Sequence, residues 1–125
     1  MHLGKTTPIL RILDEAQAKS FYVDFLGFHI DWEHRFGEGY PLYLQVSQGG
    51  CVLHLSAHTG DCSTGAAMRI ETDALDSLHQ RLATSTAATA PDPCPAIQDM
   101  PWGSRDLSVI DPFGNRLTFT SSVGG

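Results

Sequence analysis

The chain has 125 residues, a formal charge of −6 at pH 7, and 42% hydrophobic against 18% charged residues; this suits one ordinary domain with a real core and excludes a disordered chain. Eight Lys and Arg against fourteen Asp and Glu argue against nucleic acid as the partner, because phosphate binding needs a surplus of cations. No apolar run is long enough for a membrane span, Met1–Lys5 lacks a secretory leader's apolar region, and Cys51, Cys62 and Cys94 lack CxxC spacing, so a reduced, soluble, cytoplasmic domain spanning 1–125 is expected.

Thr7–Leu13 reads as a largely buried strand, with Pro8 near its start where a missing donor is tolerated. Asp14 is an N-cap with Gln17 at capping-box spacing and Glu15 in the first turn. It predicts a helix whose apolar face is Ala18, Phe21, Tyr22, Phe25 and Leu26, stopped by a left-handed Gly27. Phe28–Trp32 alternate as a half-buried strand should, and Arg35–Gly39 form a loop. Tyr40–Val46 and Cys51–Leu55 then make a hairpin turned at Ser47-Gln48-Gly49-Gly50.

After the loop His58–Gly65 the pattern starts again. Ala66–Thr72 is a strand, and Asp73 is expected to cap a helix with core face Leu75, Leu78 and Leu82. Ala83–Pro95, small and Thr/Ala-rich with Pro91, Pro93 and Pro95, reads as a long mobile connection, and Ile97 ends a short strand. Arg105–Ile110 and Arg116–Thr120 form a last hairpin around Asp111-Pro112-Phe113-Gly114-Asn115. Pro sets that turn, Gly-Asn admits positive φ, and the Asp111 and Asn115 side chains cap local backbone donors. The order strand, helix, three strands thus runs twice, with Asp14 and Asp73, and Gly50 and Gly114, at matching places. The expected fold is α+β, two βαβββ modules at about 7–58 and 66–120 forming an open cup, a natural small-molecule site.

Asp14-xxx-Ala18-xx-Phe21-Tyr22-xxx-Leu26-Gly27-Phe28 resembles the first-helix signature of the vicinal oxygen chelate superfamily, and Asp111-Pro112-Phe113-Gly114-Asn115-Arg116-Leu117 resembles its closing turn and strand. That superfamily holds glyoxalase I, extradiol dioxygenases, fosfomycin-resistance enzymes and bleomycin-resistance proteins, and the resemblance covers 7–120. It implies four metal-ligand positions, which fall here on Thr7, His54, Ala66 or Ala67, and Thr118. One His beside Thr, Ala and Thr does not make a divalent-metal site, so no metal, no cofactor and no catalytic residue is expected.

The remaining resemblance is to the bleomycin-resistance proteins, and it implies a homodimer that sequesters a cationic, bleomycin-like small molecule, with Thr7-Pro8-x-Leu10 in an exchanged arm. An acidic chain suits a cationic ligand, and aromatic side chains suit its planar end. The candidate ligand-binding residues are Trp102, flanked by Pro101 and Gly103, then Trp32, His54 and Arg105, with Phe36 and Tyr40 after them. Each has an ordinary alternative: core packing for the aromatics, a hydrogen-bonded lining role for His54, a surface ion pair for Arg105. His58 is too far along a strand to share a metal with His54, about 13 Å, and Cys62 shows no thiolate-lowering context. The rival reading is an enzyme of the same fold, lyase-like or dioxygenase-like, with a non-standard site in which His54 is a general base and Arg105 its electrophilic partner.

Overall fold

The computed structural model describes residues 1–122. Alternation along each strand decides which face is dry. In β1 (Ile9–Arg11), β3 (Tyr43–Gln48) and β4 (Cys51–Ser56), Leu10, Leu44, Val46, Leu53 and Leu55 are buried, while Tyr43, Gln45 and His54 between them are not. With β2 (His29–His34) these strands form a sheet in the order β1-β4-β3-β2, β1 parallel to β4 and the rest antiparallel. A second sheet repeats this topology: β5 (Ala67–Glu71), β8 (Arg116–Ser122), β7 (Ser104–Ile110) and β6 (Gln98–Asp99). Each unit is strand, helix and three strands, so the α+β architecture of two βαβββ modules holds. Backbone bonds fix the correspondence. Ile12 N–H to Ser56 O and Thr72 N–H to Thr120 O, both 2.9 Å, are equivalent. Hence Thr7 matches Ala67, and His54 matches Thr118.

The first helix starts where its cap requires. Asp14 accepts from Gln17 N–H at 2.8 Å, opening α1 (Glu15–Lys19). The chain then continues as a π-helical segment, Ser20–Phe25, instead of the uniform α-helix expected. Its wider turn accommodates Phe21, Tyr22, Phe25 and Leu26 together in the core, all at 0% exposure. Gly27 ends it at φ 84°.

α2 (Leu75–Ala83) starts differently from the expectation. Its N-cap is Ala74, with no side-chain cap; Thr72 Oγ accepts from Ala74 N–H at 3.0 Å, and Asp73 takes no capping role. Leu75 and Leu82 are buried and Leu78 packs partly against the core. Other boundaries moved as well. The first strand is shorter than Thr7–Leu13, the β3 strand begins at Tyr43 and not Tyr40, β6 follows Ile97 instead of ending there, and β2 runs to His34 past a bulge between Ile30 and Trp32. In the last turn Gly114 takes φ 89° whereas Asn115 has no positive φ.

The two dry sheet faces and both helices share one cluster, from Leu10 and Ile12 through Phe21 and Phe25 to Leu107, Leu117 and Phe119. Each such side chain is worth about 1.5–3 kcal/mol when fully buried. The opposite sheet faces, here called inner, are left to other work.

Candidate functional site

On the inner face of the first sheet, register sets Ile9, His54, Gln45 and Trp32 in one row across β1, β4, β3 and β2. The Trp32 ring lies flat against Tyr43, centroids 6.0 Å apart at 10°. It meets His54 edge-on at 5.3 Å, and Tyr43 meets His54 edge-on at 5.2 Å. Trp32 remains 42% exposed, so its ring offers contact area to a ligand without leaving a core.

His54 is held at both ring nitrogens. Gln45 Nε2 donates to Asp31 Oδ2 at 3.0 Å, so Gln45 Oε1, 3.0 Å from His54 Nε2, is the acceptor there. His54 therefore carries its proton on Nε2, and Nδ1 accepts from the Tyr43 hydroxyl at 2.7 Å. Ser47 Oγ donates to Asp31 Oδ1 at 3.0 Å, closing the chain. The bonds from Gln45 and Ser47 hold the Asp31 carboxyl below its ordinary value. Burial, with Asp61 and Cys62 nearby, pushes the Tyr43 phenol up. This is a hydrogen-bonded floor with aromatic walls, and both His54 nitrogens are engaged within it.

Phe36 and Tyr40 stand apart from that trio, on the loop between β2 and β3. Phe36, 72% exposed, packs edge-on to His34 at 4.8 Å and to His58 at 5.5 Å. Tyr40 leans over Gly37, and its carbonyl accepts from Arg35 at 3.0 Å.

Trp102 lies beside the second sheet, in the turn between β6 and β7. It is 65% exposed, donates Nε1–H to Ser104 Oγ at 2.8 Å, and borders a concavity of about 360 Å³ with Arg69, Asp106, Ser108, Arg116 and Thr118. Asp106, 6% exposed, anchors this face: it accepts from Thr120 at 2.7 Å, from Ser104 at 2.9 Å and from Arg69 at 3.1 and 3.3 Å. Burial acts to raise the Asp106 carboxyl, but the bonds from Thr120, Arg69 and Ser104 and the Arg69 charge outweigh it, and the net shift is downward. Arg105 is the next residue along β7 and so faces the other way. Its guanidinium pairs with Asp76 of α2 at 3.0 and 3.1 Å, and with Asp99 at 3.8 Å. It does not join the concavity that Trp102 borders.

Tyr43, Gln45 and Asp31 on one sheet, and Arg69 and Asp106 on the other, were not among the candidates drawn from the sequence. The available signal was period two. Tyr43-x-Gln45-x-Ser47 and Ser104-x-Asp106-x-Ser108 are polar stripes inside otherwise apolar strands. A larger concavity, about 700 Å³, lies between the Ser20–Phe25 segment and Arg81–Ala88, away from both inner faces.

The residues at the four metal-ligand positions do not fit a divalent ion. Thr7 and Ala67 offer one hydroxyl and no donor, Thr118 shares its hydroxyl with Ser108 at 2.8 Å, and His54 has both nitrogens engaged. Among the described residues no three His, Cys, Asp or Glu gather to hold a metal. Nor is any described helix long and apolar enough to cross a membrane.

A family model described as glyoxalase superfamily protein matches residues 1–125. None of the curated proteins matches the chain. Among solved structures it is similar to a bleomycin-binding protein complexed with bleomycin, at 21% identity over 96% of this chain and 99% of that one, with a TM-score of 0.68. It is similar to a glyoxalase/bleomycin resistance protein from Streptomyces sp. CB03234, at 25% identity, 90% and 96% coverage and a TM-score of 0.67. A glyoxalase-related enzyme from Clostridium phytofermentans has 20% identity, 98% coverage of both chains and a TM-score of 0.74. At these identities the likeness establishes the fold, which binders and enzymes share.

Proposed function

The chain belongs to the glyoxalase superfamily, and on that premise we propose that it binds and sequesters a small, bleomycin-like molecule without metal and without turnover. One observation carries the reading. Trp32 stacks on Tyr43 while 42% exposed, above a His54 whose two nitrogens are already bonded. A metal ligand must give up such a hydrogen bond, whereas a binding wall needs only ring area and a rigid floor. The site has the second set of properties.

The working unit is taken to be a cytoplasmic homodimer, since each inner face alone is open to solvent and a groove between two copies would enclose the ligand. The charge of −6 favours a cationic ligand through long-range attraction. Trp102 and the concavity beside it would form the second wall.

The test is calorimetric titration with metal-free and copper-loaded bleomycin, with tryptophan fluorescence followed in parallel and the association state measured by sedimentation. Saturable heat near one drug per chain, with quenching lost in Trp32→Ala or Trp102→Ala, supports sequestration. No heat and no quenching at high micromolar drug overturns the bleomycin assignment, and stoichiometric metal that is lost in His54→Ala overturns the metal-free one.

A further inference from the structure

The next row of the first sheet's inner face contains a cation without a partner among the described residues. Register sets Arg11, Ser56, Tyr43 and His34 side by side across β1, β4, β3 and β2. Beyond Ser56 the chain folds back. Ser56 Oγ donates to Asp61 Oδ2 at 2.6 Å and accepts from His58 N–H at 3.1 Å, so the His58 loop is tied to the end of this row. Among the described residues, two buried side-chain nitrogens have no hydrogen-bond partner: Arg11 Nη1 and His58 Nε2. Both belong to this corner.

Arginine is charged at any working pH, and a buried guanidinium nitrogen with nothing to donate to is an unfavourable arrangement that a chain keeps only for a reason. No carboxylate lies within 4.0 Å of Arg11 among the described residues. The neighbouring acid, Asp61, already accepts the Ser56 hydroxyl. Arg11 is still close enough for its charge to act on the Cys62 thiol. As a residue it is partly exposed, so the side chain reaches the surface although Nη1 itself is covered.

We propose that Arg11 and His58 form an oxyanion subsite at the end of this aromatic face, taking the carboxylate of a small aromatic acid. A guanidinium fork matches the two oxygens of a carboxylate, and His58 Nε2 supplies a second contact. The ring of the same ligand lies on Tyr43, two strands away in the row, and on Trp32 stacked against it. Phe36, edge-on to His58 at 5.5 Å, walls off the outer side. The subsite goes beyond the sequestration reading: it asks for a negative group at one end of the ligand, whatever charge the remainder carries.

The probe pair is 4-phenylbutyrate and its neutral amide, titrated against the full chain in a Trp102→Phe background so that Trp32 alone reports. The acid is expected to quench Trp32 saturably and to bind about tenfold or more tightly than the amide, the ordinary effect of one charged hydrogen-bonded contact. Arg11→Gln removes the preference and His58→Gln reduces it. Equal binding of acid and amide, no saturable binding of either, or a preference intact in Arg11→Gln overturns the subsite. So does dissociation of a dimer by Arg11→Gln without any binding of the acid, which would make the missing partner a carboxylate of a second copy. The acid-against-amide comparison needs no variant at Arg11, so it stands even where Arg11→Gln does not fold. It is independent of the bleomycin titration, and either can fail alone.

Discussion

The Tyr22 hydroxyl donates to Asp111 Oδ2 at 2.7 Å across 89 residues of sequence, joining the first helical segment to the last turn. Asp111 is 4% exposed and also accepts from Asn115 Nδ2 at 2.9 Å, and through Oδ1 from the N–H groups of Phe113 and Asn115 at 2.8 Å. Asn115, at 0% exposure, donates to Arg11 O at 2.9 Å and accepts from Ala66 N–H at 3.1 Å. One turn of the second module thus holds the first strand of each. Asn115→Ala leaves several buried groups unpaired and is expected to cost about 2–4 kcal/mol in urea unfolding, against about 1–3 kcal/mol for Tyr22→Phe.

The same pair gives an alkaline signature. Burial first, then the Asp111 charge and hydrogen bond, push the Tyr22 phenol far above its ordinary value. A raised acid stabilises the fold fully below the unfolded tyrosine's value near 10, and loses that stabilisation as pH climbs above it. Wild type should therefore lose stability above about pH 10 more steeply than Tyr22→Phe does. Urea midpoints measured from pH 8 to 11 check this, and parallel curves would refute it.

Asp106 predicts the acid side. Its lowered carboxyl stabilises the fold above the ordinary unfolded value of 3.8 and loses that contribution as pH falls through its folded value. Asp106→Asn should be less stable at pH 7, by about 1 kcal/mol because Arg69 is half exposed and screened. The gap should close as pH falls below about 4. A gap that persists at pH 2.5 would mean that packing, not charge, is lost.

For His54 the expected arrangement has hydrogen on Nε2, facing Gln45, and the Tyr43 hydroxyl donating to Nδ1. Long-range proton–nitrogen correlation spectra should show an unprotonated Nδ1 that shifts in Tyr43→Phe and a protonated Nε2 that shifts in Gln45→Leu. A proton on Nδ1 would refute this arrangement.

Arg105 should matter little to a ligand. Its carboxylate partner on α2 lies on the far side of the sheet from the Trp102 concavity, and the ion pair is solvent-screened. Arg105→Ala is expected to leave ligand affinity within about twofold, while Arg69→Ala, which loosens Asp106 beneath the concavity, weakens it further. Titration of both variants with one ligand decides.

Local chemistry was legible in the chain. Asp14 with Gln17 set the first helix start, Gly27 its stop, and the Asp111–Asn115 segment a turn, because each acts on backbone within a few residues. Alternation and helical spacing gave the dry faces, since Leu53 and Leu55 must lie opposite to His54. The repeated element order was readable for the same reason, whereas the four metal-ligand positions came only from the family resemblance. Asp73 misled because a cap is decided by where the strand before it lets go, and Thr72 is still bonded to Thr120 there.

What the residues touch across the sheets was decided only in three dimensions. Nothing near His54 in sequence says that Gln45 and Tyr43 will take both its nitrogens; cross-strand register does. Arg105 and Trp102 are three positions apart, yet Arg105 on β7 points toward α2 while Trp102, in the turn before that strand, stays at the concavity. Asn115 looked like a local turn residue and proved to bridge Arg11 and Ala66. Sequence alone determines the folding units, because their forces are short-ranged along the chain. The site is assembled by pairing between distant segments, whose register only the packed fold sets.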